Sequence, residues 1–346
     1  MPELKEFTFL STDGKTQIYV REYLPDGNIR GTVQIAHGVA EYCNRYDDFM
    51  IYLAEHGFAV CANDHLGHGQ SVQDEAHRRF FAEEDGWSKV VGDIKQLRDI
   101  QKNKYPDVPS VLLGHSMGSF LARTFMIKFP NDFDAFILSG TGQMSRLIVK
   151  IGYSLAKGEC GKIGAMTPSP KLYKTAFGSY NKKIANPKTE NDWLSRNEAN
   201  VAAYEADPLC GGICSAGLYR DMMGGLVFIS DKKNLLKMNK KAPVLFIAGT
   251  EDPVGGYGQG VVKACELFRW ALMKDVTLKL YEGDRHEILN EDDKGTVYED
   301  VLTWICAKVL GTGIDGTLLE NAQAPAGPTS EEEAVAKLQK RLNRKL

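Results

Sequence analysis

The chain is predicted to be an α/β protein: a mostly parallel eight-stranded sheet with helices on both faces and an inserted helical cap. Three observations predict it. Short apolar strands alternate with amphipathic helices from residue 32 to 138 and again from 244 to 308, and that rhythm stops between 143 and 238. Gly114-His115-Ser116-Met117-Gly118, a Gly-x-Ser-x-Gly stretch, falls where a strand passes into a helix.

Taken in order, Phe7 to Leu10 and Thr16 to Tyr23 alternate with the period of strands around the turn signal Asp13-Gly14, which predicts an opening hairpin. Thr32 to Ala36 is a third strand and runs into His37-Gly38. A helix over Arg45 to Glu55, a strand over Phe58 to Ala62 and a helix over Trp87 to Gln101 follow. In the last of these, Trp87, Val90, Val91, Ile94 and Leu97 form the stripe of a face packed on a sheet. The strand at Val111 to Leu113 leads into the pentapeptide, after which Phe120, Leu121, Thr124, Phe125 and Lys128 repeat at helical spacing until Pro130. Ala135 to Leu138 is the next strand.

Residues 143 to 238 carry helical patches without strands and read as the cap. Val244 to Ala248 restores the strand, and Val261, Cys265, Phe268 and Leu272 mark a helix. Val276 to Tyr281 is the eighth strand, and Val297, Val301, Trp304, Ile305 and Lys308 mark the last helix. The expected organisation is therefore a core of residues 1–142 and 239–312, a cap of 143–238, and a linker and amphipathic tail of 313–346. Within that tail, 321–329 is low-complexity and Val335, Leu338, Leu342 and Leu346 share one stripe among basic residues, either a surface-binding helix or a frayed end.

Composition narrows the function. A formal charge of -3 with 25% charged residues excludes a nucleic-acid binder selected by bulk charge. The start lacks a basic segment followed by an apolar run, and no stretch of about 18 apolar residues occurs, so a soluble, cytoplasmic protein is expected. Seven scattered cysteines, an odd number, fit reduced thiols. Cys210 and Cys214 lack a second pair, and His65 and His68 lack a third ligand, so no metal is expected; no phosphate-binding glycine loop follows a strand, so no nucleotide cofactor is expected either.

The chemistry is read from the ends of strands, where open α/β sheets gather their sites. Ser116 is the candidate nucleophile, with glycines at 114 and 118 because a Cβ at either would press on the tight turn. A serine hydroxyl needs a neutral imidazole to take its proton and a carboxylate to fix the imidazole's tautomer. Asp252 follows the strand ending at Ala248, and His286 follows the strand ending at Tyr281. Glu251, Asp284 and Glu287 are the neighbouring rivals, and His115 reads as a packed residue pointing away along the turn. The backbone N–H groups of Val39 and Met117 are the candidate oxyanion donors.

His37 to Tyr46, Asn63 to Ser71, Gly114 to Gly118, Gly249 to Val254 and Gly283 to Glu287 resemble, in order and spacing, the monoacylglycerol lipase and lysophospholipase group of α/β-hydrolases, often filed with serine aminopeptidases. The resemblance covers about residues 5 to 310 and implies the same triad and the same two oxyanion donors. It implies an α/β-hydrolase fold, no cofactor and a small lipid ester as substrate. Two departures stand at the rim: Ala40-Glu41-Tyr42-Cys43 where the family often has Gly-Glu-His-Ser, and Leu66 where it has Arg. By the same likeness the cap lines an acyl channel, for which Tyr219, Met222, Met223, Leu226 and Phe228 supply apolar, adaptable side chains. Ester hydrolysis is thus the expected activity, with peripheral membrane contact and oligomeric state left open. The alternatives are an amidase or aminopeptidase on the same triad, and a binding protein that keeps the fold without turnover.

Overall fold

The computed structural model describes residues 1–319; the expectations placed on the linker at 321–329 and the tail helix beyond it lie outside the described residues. In chain order the elements are β1 (Glu3–Leu10), β2 (Gln17–Leu24), β3 (Gly31–Ala36), α1 (Asp47–Glu55), β4 (Phe58–Asn63), α2 (Gly86–Lys104), β5 (Ser110–His115), α3 (Met117–Lys128) and β6 (Ala135–Ser139). Next come α4 (Arg146–Ile163), α5 (Pro170–Phe177), α6 (Glu198–Ala206), α7 (Ala216–Ile229) and α8 (Lys232–Leu235). The chain then returns to β7 (Val244–Gly249), α9 (Gln259–Trp270), β8 (Val276–Tyr281) and α10 (Lys294–Ile305).

The eight strands form one sheet in the order β1-β2-β4-β3-β5-β6-β7-β8. β1 and β2 pair antiparallel, as do β2 and β4, and every later pair is parallel. This is the α/β-hydrolase fold with an inserted helical region between β6 and β7. Parallel strands need crossovers, and the crossovers cover both faces. Along β5, Leu112 joins the core beneath α2, α3 and α9, whereas Val111 and Leu113 join the core beneath α1 and α10. Side chains alternate across a strand, so a strand buried on both faces reads as an unbroken apolar run.

The boundaries differ from the sequence reading in instructive ways. β1 begins at Glu3 because an edge strand can pair through its backbone while its side chains stay in water. The first helix is preceded by a 3-10 turn over Cys43–Tyr46 rather than continuing back to Arg45. Leu272 is not part of the helical stripe: α9 ends at Trp270, and Leu272 takes a left-handed conformation with its side chain exposed. Lys308 lies in the π-helical turn Cys306–Leu310 that continues α10, and pairs with Asp275 at 2.8 Å.

The first stem of the inserted region is pinned to α3, and the second stem to the first. Arg123 on α3 is fully buried and donates to the Gly142 carbonyl at 3.0 Å and to Gln143 Oε1 at 2.6 Å. Gln143 donates in turn to Ser230 Oγ at 3.1 Å, and Arg146 pairs with Asp231 at 2.6 Å. Within the region, α4 lies on α7 with Val149 and Ala156 buried and Met223 against Gly152.

Candidate active site

β5 ends at His115 and α3 begins at Met117, so Ser116 is the whole connection. Its φ of 53° is a conformation that a residue with a Cβ adopts only under constraint, at a cost of about 1–3 kcal/mol. The constraints are visible. Ser116 N–H donates to the Ser139 carbonyl at 2.9 Å, and its own carbonyl accepts from Ser119 N–H at 2.9 Å and Ser119 Oγ at 2.6 Å. The turn also requires bare backbone on either side. A Cβ at Gly114 would overlap the Gly118 carbonyl, and one at Gly118 would overlap the Ala36 carbonyl at the end of β3. Gly118→Ala is therefore expected to destabilise the fold by about 3 kcal/mol or more, the upper end for overpacking, because backbone rather than a flexible side chain would have to move. A denaturant melt reads it.

Asp252 and His286 are carried on two loops that are joined to each other. Thr250 N–H donates to the Tyr281 carbonyl at 2.9 Å, Glu251 N–H to the Asp284 carbonyl at 2.9 Å, and Gly283 N–H to Thr250 Oγ1 at 2.8 Å. Asp252 is fully buried, and its Oδ1 accepts from Val254 N–H at 2.8 Å. Its Oδ2 lies 3.0 Å from His286 Nδ1, at bonding distance although the ring N–H points off the oxygen. Burial pushes the His286 pKa down and the Asp252 carboxylate pushes it up; the second effect prevails, and the imidazole stands above its ordinary value. Of the rival acids, Asp284 is engaged by Arg196 and Glu287 by Arg45.

Ser116 and His286 open into one cavity together with Val39, Glu41, His115 and Trp193. It is a narrow cleft enclosing about 550 Å³, the solvent at its mouth included. His115 does not point away from the site. It is buried, lines the cavity, sets its ring 4.7 Å from that of His286 and places Nδ1 3.2 Å from Ser139 Oγ.

The loop after β3 is held by groups that sequence reasoning passed over. His37 Nε2 accepts from His65 N–H at 2.9 Å, which leaves the ring proton on Nδ1 to be donated to the Gly38 carbonyl at 2.7 Å. That carbonyl and the Val39 N–H belong to one planar trans peptide, so fixing the oxygen aims the N–H in the opposite direction. Burial, with His65 and His68 alongside, keeps the His37 pKa well below the usual imidazole value, as an acceptor nitrogen requires. Met117 N–H is free of an intrahelical partner by its place at the start of α3. Neither it nor Val39 N–H enters a turn, loop or cap hydrogen bond among the described residues.

Glu41 supports the same loop. Its Oε1 accepts from Gly38 N–H at 2.5 Å and from Tyr46 Oη at 2.8 Å, and a Cβ at Gly38 would crowd both that oxygen and the Ser116 Cβ. Arg45 lies between Glu41 and Glu287. Burial, opposed by Arg45, moves the Glu41 pKa up to about 7.

Tyr219, Met222, Met223 and Leu226 are not in the cavity wall. They lie on α7, with Tyr219, Met222 and Leu226 buried in the core and Met223 packed against it. Their positions along α7 turn them toward the core shared with α2, α3 and α4. Tyr173, Phe177, Trp193, Leu194 and Tyr204 supply the apolar wall instead. His65 and His68 serve the glycine loop, His65 through its backbone N–H and His68 through Nδ1 at 3.2 Å from the Leu66 carbonyl.

A strained serine at the strand-to-helix turn, lining one cavity with a carboxylate-backed imidazole, is what a serine-hydrolase-type α/β-hydrolase presents. The sequence family described as serine aminopeptidase, S33, matches residues 27–293, and the chain belongs to that family. It is 30% identical over 309 residues to a monoacylglycerol lipase of Mycolicibacterium smegmatis, covering 87% of this chain and 96% of that one. Over 308 residues it is 28% identical to a monoglyceride lipase of Mus musculus, with 88% and 91% covered. Among solved structures, a thermostable carboxyl esterase from Bacillus coagulans superposes with a TM-score of 0.83 at 28% identity, covering 88% of this chain and 99% of that one. The chain is accordingly an enzyme of the esterase and lipase kind, related at moderate identity to monoglyceride lipases. No helix among the described residues is long and apolar enough to cross a membrane.

Proposed function

We propose that the protein hydrolyses carboxylic esters of monoacylglycerol or lysophospholipid type through an acyl-enzyme. Ser116 Oγ attacks the ester carbonyl while His286 Nε2 takes its proton, and the Val39 and Met117 N–H groups receive the oxyanion. Collapse of the tetrahedral intermediate breaks the ester C–O bond, and the imidazolium returns the proton to the leaving alcohol. Water then attacks the acyl-serine with His286 as base, releasing the fatty acid and restoring the serine. Asp252 keeps the imidazole's proton on Nδ1 and stabilises its cation. The observation that carries this reading is the single cavity shared by Ser116 and His286, with Asp252 behind the imidazole at 3.0 Å. The lipase relatives support the substrate class.

The test is a panel of monoacylglycerols, lysophospholipids, short nitrophenyl esters and aminoacyl amides, run beside a Ser116→Ala blank and fluorophosphonate labelling. Long-chain glycerol or lysophospholipid esters are expected to be the best substrates. Preference for the amides would transfer the reading to an aminopeptidase, and an unlabelled Ser116 would leave only a binding protein. Turnover should also rise with pH as His286 loses its proton. Because the Asp252 carboxylate raises that pKa, the inflection in kcat/KM is expected above 6.5, the ordinary imidazole value. A rate that climbs toward acid would contradict a neutral imidazole base.

A lipid substrate has to leave its own surface, and α4 presents the means. Leu147, Ile148, Ile151 and Leu155 are 69%, 57%, 52% and 49% exposed, on the side opposite the buried Val149 and Ala156. Lys150, Lys157 and Lys162 lie on the same helix. We read this face as the one that meets lipid. Each such side chain contributes up to about 1.5–3 kcal/mol when fully buried, so Leu147→Asp with Ile151→Asp should lower the rate on vesicle-borne substrate at least about tenfold. The rate on a soluble short ester should stay unchanged.

A further inference from the structure

The loop that carries His286 is held mostly from outside itself, by a short strap of the inserted region, Asp192 to Arg196. Arg285 donates through Nη1 to the Asp192 carbonyl at 2.8 Å and the Ser195 carbonyl at 3.0 Å. Glu287 N–H donates to the Leu194 carbonyl at 2.7 Å. Ser195 Oγ donates to Glu291 Oε2 at 2.9 Å, and Arg196 N–H lies 3.1 Å and 3.0 Å from the two Glu291 oxygens. The Arg196 guanidinium pairs with Asp284, with Glu291 at 3.6 Å and with Asp293 at 3.2 Å. Between these anchors the Trp193 ring rests 5.1 Å from the His286 ring, on which His115 also packs.

Residues 284 to 291, the loop that carries the imidazole, include three acids, Asp284, Glu287 and Glu291, and all three are buried. Buried carboxylates without cations repel one another and draw water or protons, and the loop's own Arg285 gives its guanidinium to the Asp192 and Ser195 carbonyls rather than to these acids. The cations come from two other parts of the chain: Arg45 engages Glu287, and Arg196 engages Asp284 and Glu291. Even with Arg196 opposing it, burial raises the Asp284 pKa to about 6. Arg196 does not line the cavity among the described residues, so it has no route to substrate except through this loop.

Resting on His286 as the base, we infer that Arg196 is a positioning residue: it clamps the Asp284–Glu291 loop to the strap and thereby fixes the imidazole against Ser116. Though the strap belongs to the inserted region, it acts as part of the catalytic core. A displacement of about 1 Å at a reacting group can lower a rate by roughly a hundredfold, so a loosened loop should reduce kcat without touching substrate affinity.

The experiment compares R196M, R196K and the double variant R196M/D284N with the parent enzyme on a soluble short ester, reading kcat, KM, the rate of fluorophosphonate labelling and thermal stability. R196M is expected to lose about tenfold to a hundredfold in kcat, and the same factor in labelling, with KM within about twofold. R196K should recover most of that loss. The double variant removes the charge at position 284 and, of the buried acids, leaves only Glu291 without its cation, so it should recover part of the stability while kcat stays low. If R196M does not fold, the double variant carries the same comparison. The proposal is overturned if kcat returns together with stability in the double variant, or if R196M loses stability at unchanged kcat, since either result makes Arg196 a structural brace alone. Failure of the parent reading looks different: H286A would then retain activity whatever the Arg196 variants do.

Discussion

Ser116→Ala is expected to abolish turnover, with kcat reduced by about 10⁶ when the nucleophile of such a triad is removed. The size follows from what remains. On the proposed mechanism the two N–H donors and the cavity would still stabilise an oxyanion, but no acyl-enzyme could form, and water would have to attack without a positioned oxygen. Fluorophosphonate labelling should vanish in the same variant. A companion change separates chemistry from strain. Ser116 holds φ at 53°, which alanine tolerates no better than serine, whereas glycine adopts it freely. Ser116→Gly should therefore be as inactive as Ser116→Ala yet melt above it. Turnover in either variant at more than about a thousandth of the parent rate would place the nucleophile elsewhere.

Asp252→Asn should cost about 10⁴ in kcat while leaving the fold intact. The carboxylate is anchored through Oδ1 by Val254 N–H, and only Oδ2 faces the imidazole. An amide in that place either offers a donor to Nδ1, forcing the wrong tautomer, or presents an oxygen without charge, so the imidazolium that forms during attack has no counterion. The pH profile should respond as well. With the carboxylate gone, burial acts on His286 unopposed by it, and the inflection in kcat/KM should move below its position in the parent enzyme. Activity preserved within tenfold, or an inflection that does not move, would mean that another acid orients His286.

Glu287 is the acid to watch in that event. It follows His286 directly, but its carboxylate is bound by Arg45 and accepts from Asn200 Nδ2 at 2.7 Å, and its backbone N–H is held by Leu194. A carboxylate so occupied is poorly placed to serve the imidazole. Local sequence could not show this, because Arg45, Asn200 and Leu194 lie far from residue 287 in the chain.

What the sequence determined by itself is whatever depends on short-range pattern. Apolar runs such as Val244 to Ala248 and amphipathic stripes such as Trp87 to Leu97 specify strand and helix through periods of two and 3.6, and their alternation specifies a parallel sheet. The elbow around Ser116 was legible for the same reason, since the glycines at 114 and 118 are demanded by neighbours within the turn and by the adjacent end of β3. Only the tertiary structure decided which residues face the cavity and which charges are paired. α7 could have offered Tyr219 to Leu226 to a ligand, but packing against α2, α3 and α4 turned them into core, and the wall passed to Trp193 and Tyr204. His115 was set opposite Ser139 by the pairing of β5 with β6 and met His286 through the loop that follows β8, and Arg196 was brought to Asp284 by the course of the inserted chain. These contacts join segments separated by tens to hundreds of residues, and they arise from burial and charge balance in the folded molecule, to which no local pattern responds.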